Sequence, residues 1–289
     1  KGRIVLIGDS PRNTAPESLA GRGAKRESMN LSCAHLAMSD TLAPEDLQDV
    51  RAFGSTEPIS VAEVYNDKMQ QLKDNMTATM EFHRLGAIKG VVLDADGTTV
   101  LHDIFKTFGV TKKTLPILFP KTAADDANPI QTSILNAKRH VEAAMGGTPF
   151  SHIECIIGSD AYDMLTSHVL VRKYFEDWLA RKQDYGNNDY RKRGFTYGGL
   201  TFVERSDVVG GQTMVAAKKG HVYPVGPGIF KQYHAPADWM ETVNTIGLEY
   251  YARMDKKEKS RGIDIEVQTN PLTLCTYPEA LVELDFKAA

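Results

Sequence analysis

One apolar stripe limits what this chain can fold into. Between Ser60 and Leu85, large apolar side chains stand at Val61, Tyr65, Met69, Leu72, Met76 and Met80, at spacings of four, four, three, four and four. That is one face of a helix. The opposite face is polar, with Asn66, Asp67, Gln70, Lys73 and Asp74. Ser60 and Glu63 form a capping-box pattern, in which each side chain satisfies a free backbone N–H at the helix start. Pro58 disfavours helix at the residue before it. A helix over 61–85 would run roughly 37 Å at 1.5 Å per residue, as long as a small domain is wide. It cannot be enclosed in one core and must lie as a strut along a sheet or a neighbour. Gly86 is expected to end it. Val91-Val92-Leu93 and Thr98–Leu101 then flank Asp94-Ala95-Asp96-Gly97, a loop suited to a four-residue hairpin turn.

That hairpin carries a chemical motif. Val-Val-Leu-Asp-Ala-Asp-Gly-Thr resembles the first motif of haloacid-dehalogenase phosphohydrolases, in which the first Asp attacks phosphorus and the second handles the proton. Asp94 and Asp96 would take those roles, and Ile157–Asp163 resembles the downstream magnesium-binding motif. The competing reading is a plain turn, with Asp accepting backbone hydrogen bonds and Gly supplying positive φ. Context favours the turn. The phosphohydrolase motif should lead into a helix, whereas another extended segment follows here, and ninety-odd residues precede it. An EF-hand reading fails because Val92 occupies the first ligand position.

At 289 residues the chain can bury a substantial core and is expected to split into two lobes. A net charge of -3 gives no global pull toward nucleic acid or anionic membrane. Cys33, Cys155 and Cys275 are far apart and form no Cys-x-x-Cys, which argues against a disulfide framework or zinc site and suits a reducing compartment. No apolar run approaches the ~20 residues needed to span a bilayer. Lys1 stands where an initiator Met would, so the chain is expected to be trimmed or to begin inside a longer product. No cofactor or metal site is expected. The eight histidines are scattered, and His152 near Cys155 reads as strand packing.

The first fifty residues look unable to fold alone. Lys1–Ile7 could be a strand, but Asp9–Glu27 has Leu19 as its one large apolar side chain and a basic set in Arg12, Arg22, Lys25 and Arg26. So long a polar loop inside one compact domain is unusual, and an arm lying on a neighbouring subunit accounts for it. Met29–Met38 reads as a return strand, and an acidic helical turn follows Pro44. Beyond the hairpin, Lys121–Pro129 is a polar linker. Helices are expected at Ser133–Met145, Asp160–Thr166 and Val169–Ala180, with strands at Leu115–Phe119, Ile153–Ile157, Gly199–Val203, Thr213–Ala217 and His221–Tyr223. Four closing strands, Leu248–Met254, Gly262–Thr269, Leu272–Thr276 and Leu281–Phe286, are expected beside the long helix, so that a first lobe is built from both chain ends. The organisation is then arm and loop over 1–53, a first lobe over 54–128 plus 234–289, and an inserted lobe over 129–233.

Arg181, Lys182, Arg191, Lys192 and Arg193 interleave with Tyr185, Tyr190, Phe195 and Tyr197. Basic groups with aromatics could hold single-stranded nucleic acid. The blander reading is an exposed or subunit-contact loop, since Asp184 and Asp189 dilute the charge.

Several blocks in order carry a resemblance: His83–Gly90, Leu93–Gly97, Arg193–Gly199, Ala235–Thr245 and Asn270-Pro271-Leu272. Together they resemble the major capsid protein E family of lambda-type tailed phages, over most of the chain from Arg51 to Leu284. The resemblance implies an α+β chain with the Hong Kong 97-like capsid fold: an extended loop at Asp9–Met38, a spine helix at Ser60–Leu85, a peripheral lobe, and an axial lobe over Pro129–Tyr233. It implies a homo-oligomer of pentamers and hexamers closing an icosahedral head around double-stranded DNA, no enzymatic activity, and a place in the virion after assembly in the host cytoplasm. Implied partners are scaffolding and portal proteins during assembly and a small decoration protein at local threefold sites. Members usually begin upstream of this Lys1, which leaves the N-terminal arm and any maturation cleavage open.

Elementary physics agrees with a shell subunit. Such a protein needs arms and self-complementary edges rather than a catalytic pocket, so that many modest contacts add up. A strongly basic lining would pin packaged DNA, and near-neutral charge avoids that. The side chains expected to meet neighbours are Arg12, Arg22, Lys25, Arg26, Asp67, Lys73, Arg181 and Arg191.

Overall fold

The long helix is present and longer than expected. In the computed structural model, which describes residues 29–48, 60–120, 128–181 and 190–288, α1 runs Val61–Lys89, 29 residues. At 1.5 Å per residue that is about 43 Å. The capping box is made as the sequence requires: the Glu63 N–H donates to Ser60 Oγ and the Ser60 N–H to Glu63 Oε2, both at 3.1 Å. Gly86 does not end the helix. It sits inside it and lets the following hairpin close in, since a Cβ there would stand 2.9 Å from Val92 Cα. Gly90 is the stop, at φ 82 in the left-handed region that favours glycine.

Strand β1 (Leu36–Leu42) precedes α1 and a 3-10 turn at Pro44–Asp46 follows β1. The expected return strand at Met29–Met38 is therefore displaced: residues 29–35 are irregular and the strand lies downstream. After α1 come β2 (Val91–Leu93), β3 (Val100–Asp103), α2 (Ile104–Phe108) and β4 (Lys113–Phe119). Next are α3 (Pro129–Met145), β5 (His152–Ile157), α4 (Ser159–Ser167), α5 (Val169–Arg181) and α6 (Tyr190–Arg193). Then follow β6 (Phe195–Tyr197), β7 (Leu200–Glu204), β8 (Val208–Val209), β9 (Gln212–Thr213), β10 (Lys219–Val225) and β11 (Phe230–His234). The chain closes with β12 (Tyr251–Lys256), β13 (Ile263–Thr269), β14 (Pro271–Cys275) and β15 (Val282–Ala288). The strand expected at Thr213–Ala217 shrinks to β9, and Met214 and Val215 instead bury as irregular chain.

Two sheets matter. The larger has the order β4-β15-β10-β5-β7-β6, with β4 parallel to β15 and β5 parallel to β7. One face carries Cys155, Ile157, Phe202, Val222, Leu284 and Phe286 against Ile130, Ile134, Ala137 and Val141 of α3. The other face meets the C-terminal part of α1, where Leu85 packs with Ile156, Met214 and Val215. The smaller sheet, β1-β13-β12, is antiparallel and lies under the middle of α1, where Leu72 and Met76 cover Ile265 and Val267.

The last strand corrects an expectation. β15 does not lie beside the long helix with its neighbours in sequence. Val282, Leu284 and Phe286 face the large core while Glu283 and Asp285 point to the opposite face, where both pair with Lys219 at 2.8 and 3.2 Å, so the segment completes a two-sided ladder between β4 and β10. Both β4 and β15, from the segments assigned to the first lobe, thus share a sheet with strands of the inserted segment.

Candidate functional site

The Asp94–Gly97 segment is a turn, and its own hydrogen bonds occupy the second carboxylate. Asp96 accepts from the backbone N–H groups of Thr98 and Thr99, both at 2.8 Å, and from their hydroxyls at 3.0 and 2.6 Å. Those bonds, led by the Thr99 hydroxyl, hold its carboxyl well below the usual carboxylate range. A group so easily deprotonated is a poor proton donor. Asp94 spends one oxygen on the adjacent Ala95 N–H at 2.8 Å, and Gly97 takes φ 70. The chain continues as β3, antiparallel to β2, and not as the helix a phosphohydrolase needs. Asp160 and Asp163 stand on α4. Among the described residues no group of three or more His, Cys, Asp or Glu is placed to hold a metal ion. The phosphohydrolase reading finds no support.

Two of the four aromatics that suggested nucleic-acid binding, Phe195 and Tyr197, lie in the core. Phe195 and Tyr197 are buried, packed against Tyr174, and Phe195 meets Phe175 and Trp178 edge-on at 5.0 and 5.5 Å. They are core side chains and offer no stacking platform. Lys182 and Tyr185 lie outside the described residues.

Among the described residues, the charged side chains expected at contacts, Asp67, Lys73 and Arg191, stand apart from one another. Asp67 and Lys73 lie on the exposed face of α1, and Lys73 Nζ stands 5.4 Å from the centre of the Tyr250 ring. Arg191 is half-exposed and lies 3.7 Å from the buried Glu204 carboxylate. Arg181 ends α5, while Arg12, Arg22, Lys25 and Arg26 fall outside the described residues.

Two buried histidines show where polar groups are trapped under α1. His83 faces the hairpin, and its Nε2 has no hydrogen-bond partner among the described residues; burial lowers its pKa. His221, on β10, is lowered to about 3, first by burial and then by the Lys89 charge. Cys155 and Cys275 are buried, and burial pushes the Cys275 thiol up to about 12, which makes it inert.

Sequence reasoning missed the surface most out of place in water. Met240 and Ile246 are 89% and 90% exposed, and Val243 and Leu248 flank them at 58% and 59%. Their spacing fits neither a helical nor a strand period. That irregularity, over a run rich in large apolar side chains, is the signal that could have marked it.

Comparison with known proteins follows the same line. The family model for phage major capsid protein E matches residues 1–286. The major capsid protein of Salmonella phage Felix O1 is 28% identical over 280 residues, covering 85% of this chain and 74% of that protein. That of Pseudomonas phage KPP10 is 25% identical over 283 residues, covering 91% and 79%. Among solved structures, the capsid of Myoviridae phage XM1 aligns with a TM-score of 0.50 at 10% identity, over 98% of this chain and 82% of that one. At that identity the likeness speaks for the fold alone. The α+β architecture is that of the Hong Kong 97-like capsid proteins. With a family match that runs almost end to end and a turn where an active site would have to be, the chain belongs to the phage major capsid protein E family.

Proposed function

We propose that this chain is the major capsid protein of a tailed phage, and that its copies assemble as pentamers and hexamers into an icosahedral head enclosing double-stranded DNA. The observation that carries the reading is the capsid family match over residues 1–286. The exposed apolar loop around Met240 and Ile246 supports it, because a lone subunit gains nothing from an ordered patch of that kind. On this reading the large sheet with α3 to α5 forms the axial part around the local symmetry axis. The small sheet and α1 form the peripheral part. Asp67, Lys73, Arg181 and Arg191 would lie at or near contacts between copies, as would Arg12, Arg22, Lys25 and Arg26 of the leading segment. Assembly takes place in the host cytoplasm with scaffolding and portal proteins, and a decoration protein docks at local threefold sites. The DNA is held by confinement, in keeping with a net charge of -3.

Negative-stain microscopy and sedimentation of the expressed protein test this. The expected result is closed hollow particles, or rings of five and six subunits that precede them. A protein that stays monomeric or dimeric at high concentration, with or without its scaffolding partner, contradicts it.

A further inference from the structure

The exposed apolar loop is braced. Trp239 Nε1–H donates to Glu266 Oε1 at 3.4 Å, and the Asp238 N–H donates to Gln268 Oε1 at 3.1 Å. The Thr242 hydroxyl bonds to the carbonyls of Ala237 (2.6 Å) and Trp239 (2.9 Å). The Leu248 N–H donates to the Tyr251 hydroxyl at 2.9 Å, and that hydroxyl donates to the Ile246 carbonyl at 3.3 Å. Gly247 lies so close to the chain behind it that a Cβ would stand 2.0 Å from the His234 carbonyl oxygen. A loop fixed this way cannot fold its apolar side chains back onto its own body. The loop itself is acidic, with Asp238, Glu241 and Glu249 and no Lys or Arg between 235 and 249, while Arg253 stands 3.6 Å from Glu241 and Arg84 3.8 Å from Glu249 in loose, largely exposed pairs.

A matching surface lies at the other end of β12. Leu42, Ala43, Leu47, Val61, Lys256 and Ile263 line an open groove of about 290 Å³. On the β12–β13 side its border is basic: the hairpin tip 255–261 carries Lys256, Lys257, Lys259 and Arg261 against Asp255 and Glu258, with Lys257 paired to Asp264 at 3.1 Å, whereas the Pro44–Asp46 turn on the other side carries Glu45 and Asp46. The length of β12, roughly 16 Å at about 3.3 Å per residue, separates loop from groove within one copy.

We propose that the Met240–Leu248 loop of one copy docks in the Leu42–Val61–Ile263 groove of the next. Apolar side chains fill the groove, and the loop's acidic residues face the basic hairpin tip. The two surfaces are different patches, so the contact is heterologous and repeats from copy to copy until a ring closes. The inference rests on the shell-forming reading above.

Cysteine cross-linking in assembled particles tests it, with Ile246→Cys and Val61→Cys placed singly and together. The double variant, mildly oxidised, gives a ladder of dimers and higher bands on a non-reducing gel, and the single variants and parent do not. Closed particles without a ladder overturn the contact while leaving the shell reading intact. A parent protein that forms no particle overturns both. A second variant, Ile246→Asp, keeps the melting temperature of the free subunit and lowers particle yield on the order of tenfold; an unchanged yield overturns the proposal.

Discussion

Around the six-stranded sheet, Phe195, Phe202, Phe286, Ile117, Ile130 and Ile134 are wholly buried between strands and helices. Around the three-stranded sheet the buried cluster is Leu72, Met76, Ile265 and Val267, with Tyr65 and Met69 only half-covered. The same helix serves both regions, and its burial fades toward its start, where Val61 is 49% exposed. At that end charged ties replace apolar packing: Lys68 Nζ reaches Asp40 at 3.0 Å and Asp46 at 3.4 Å, and Thr41 donates to Asp264 at 2.7 Å. Partly exposed ion pairs of this kind contribute little. One region closes its own core, and in the other the described residues form a thin two-layer strut with one face left uncovered. A subunit that must be stable alone yet complete itself against copies would be divided in this way.

The comparison can be broken first in the large sheet. Phe286→Ala opens a cavity in a core with no room to collapse and should cost about 3–5 kcal/mol, read by urea unfolding of free subunits. A loss below about 1 kcal/mol would mean the large core is looser than its packing implies.

Acid should act on the same region. The folded pKa of His221, about 3, lies below the ordinary value of about 6.5, so the unfolded chain takes up a proton the folded one refuses. Its contribution is intact above pH 6.5 and is lost as pH falls toward 3. The unfolding midpoint of free subunits should drop between pH 7 and 4.5, and His221→Gln should flatten that slope. Equal slopes in the two proteins would contradict the assignment.

Under the small sheet the effects shrink. Leu72→Ala should cost about 2 kcal/mol, at the low end for a buried leucine because half-covered neighbours can move into the space. Ser60→Ala removes one acceptor at the helix start and should cost about 1 kcal/mol, visible as a small shift in thermal midpoint. If either change matches Phe286→Ala, the two regions are not the unequal partners described.

Much of this was legible in the residues. The capping box, the four-four-three stripe and the Asp-Ala-Asp-Gly turn are local signals, and each forms where the sequence places it. Gly86 misled because a helix can carry a glycine when another backbone needs its space, and Val92 does. β15 misled because alternation in Val282, Leu284 and Phe286 says which side chains face inward, but not which sheet they face. Phe195 and Tyr197 were counted with an exposed basic–aromatic loop because burial cannot be read from residue type. The apolar loop around Ile246 has no period to detect, and its exposure depends on contacts such as Trp239 with Glu266 that are distant in sequence.

Hydrogen exchange, compared between free subunits and closed particles, addresses the division most directly. Amides of β5, β10 and β15 should exchange slowly in both. Amides of β1, β12 and the first turns of α1 should exchange quickly in the free subunit and slow down only in the particle. Equal protection of the small sheet in both forms would contradict the account.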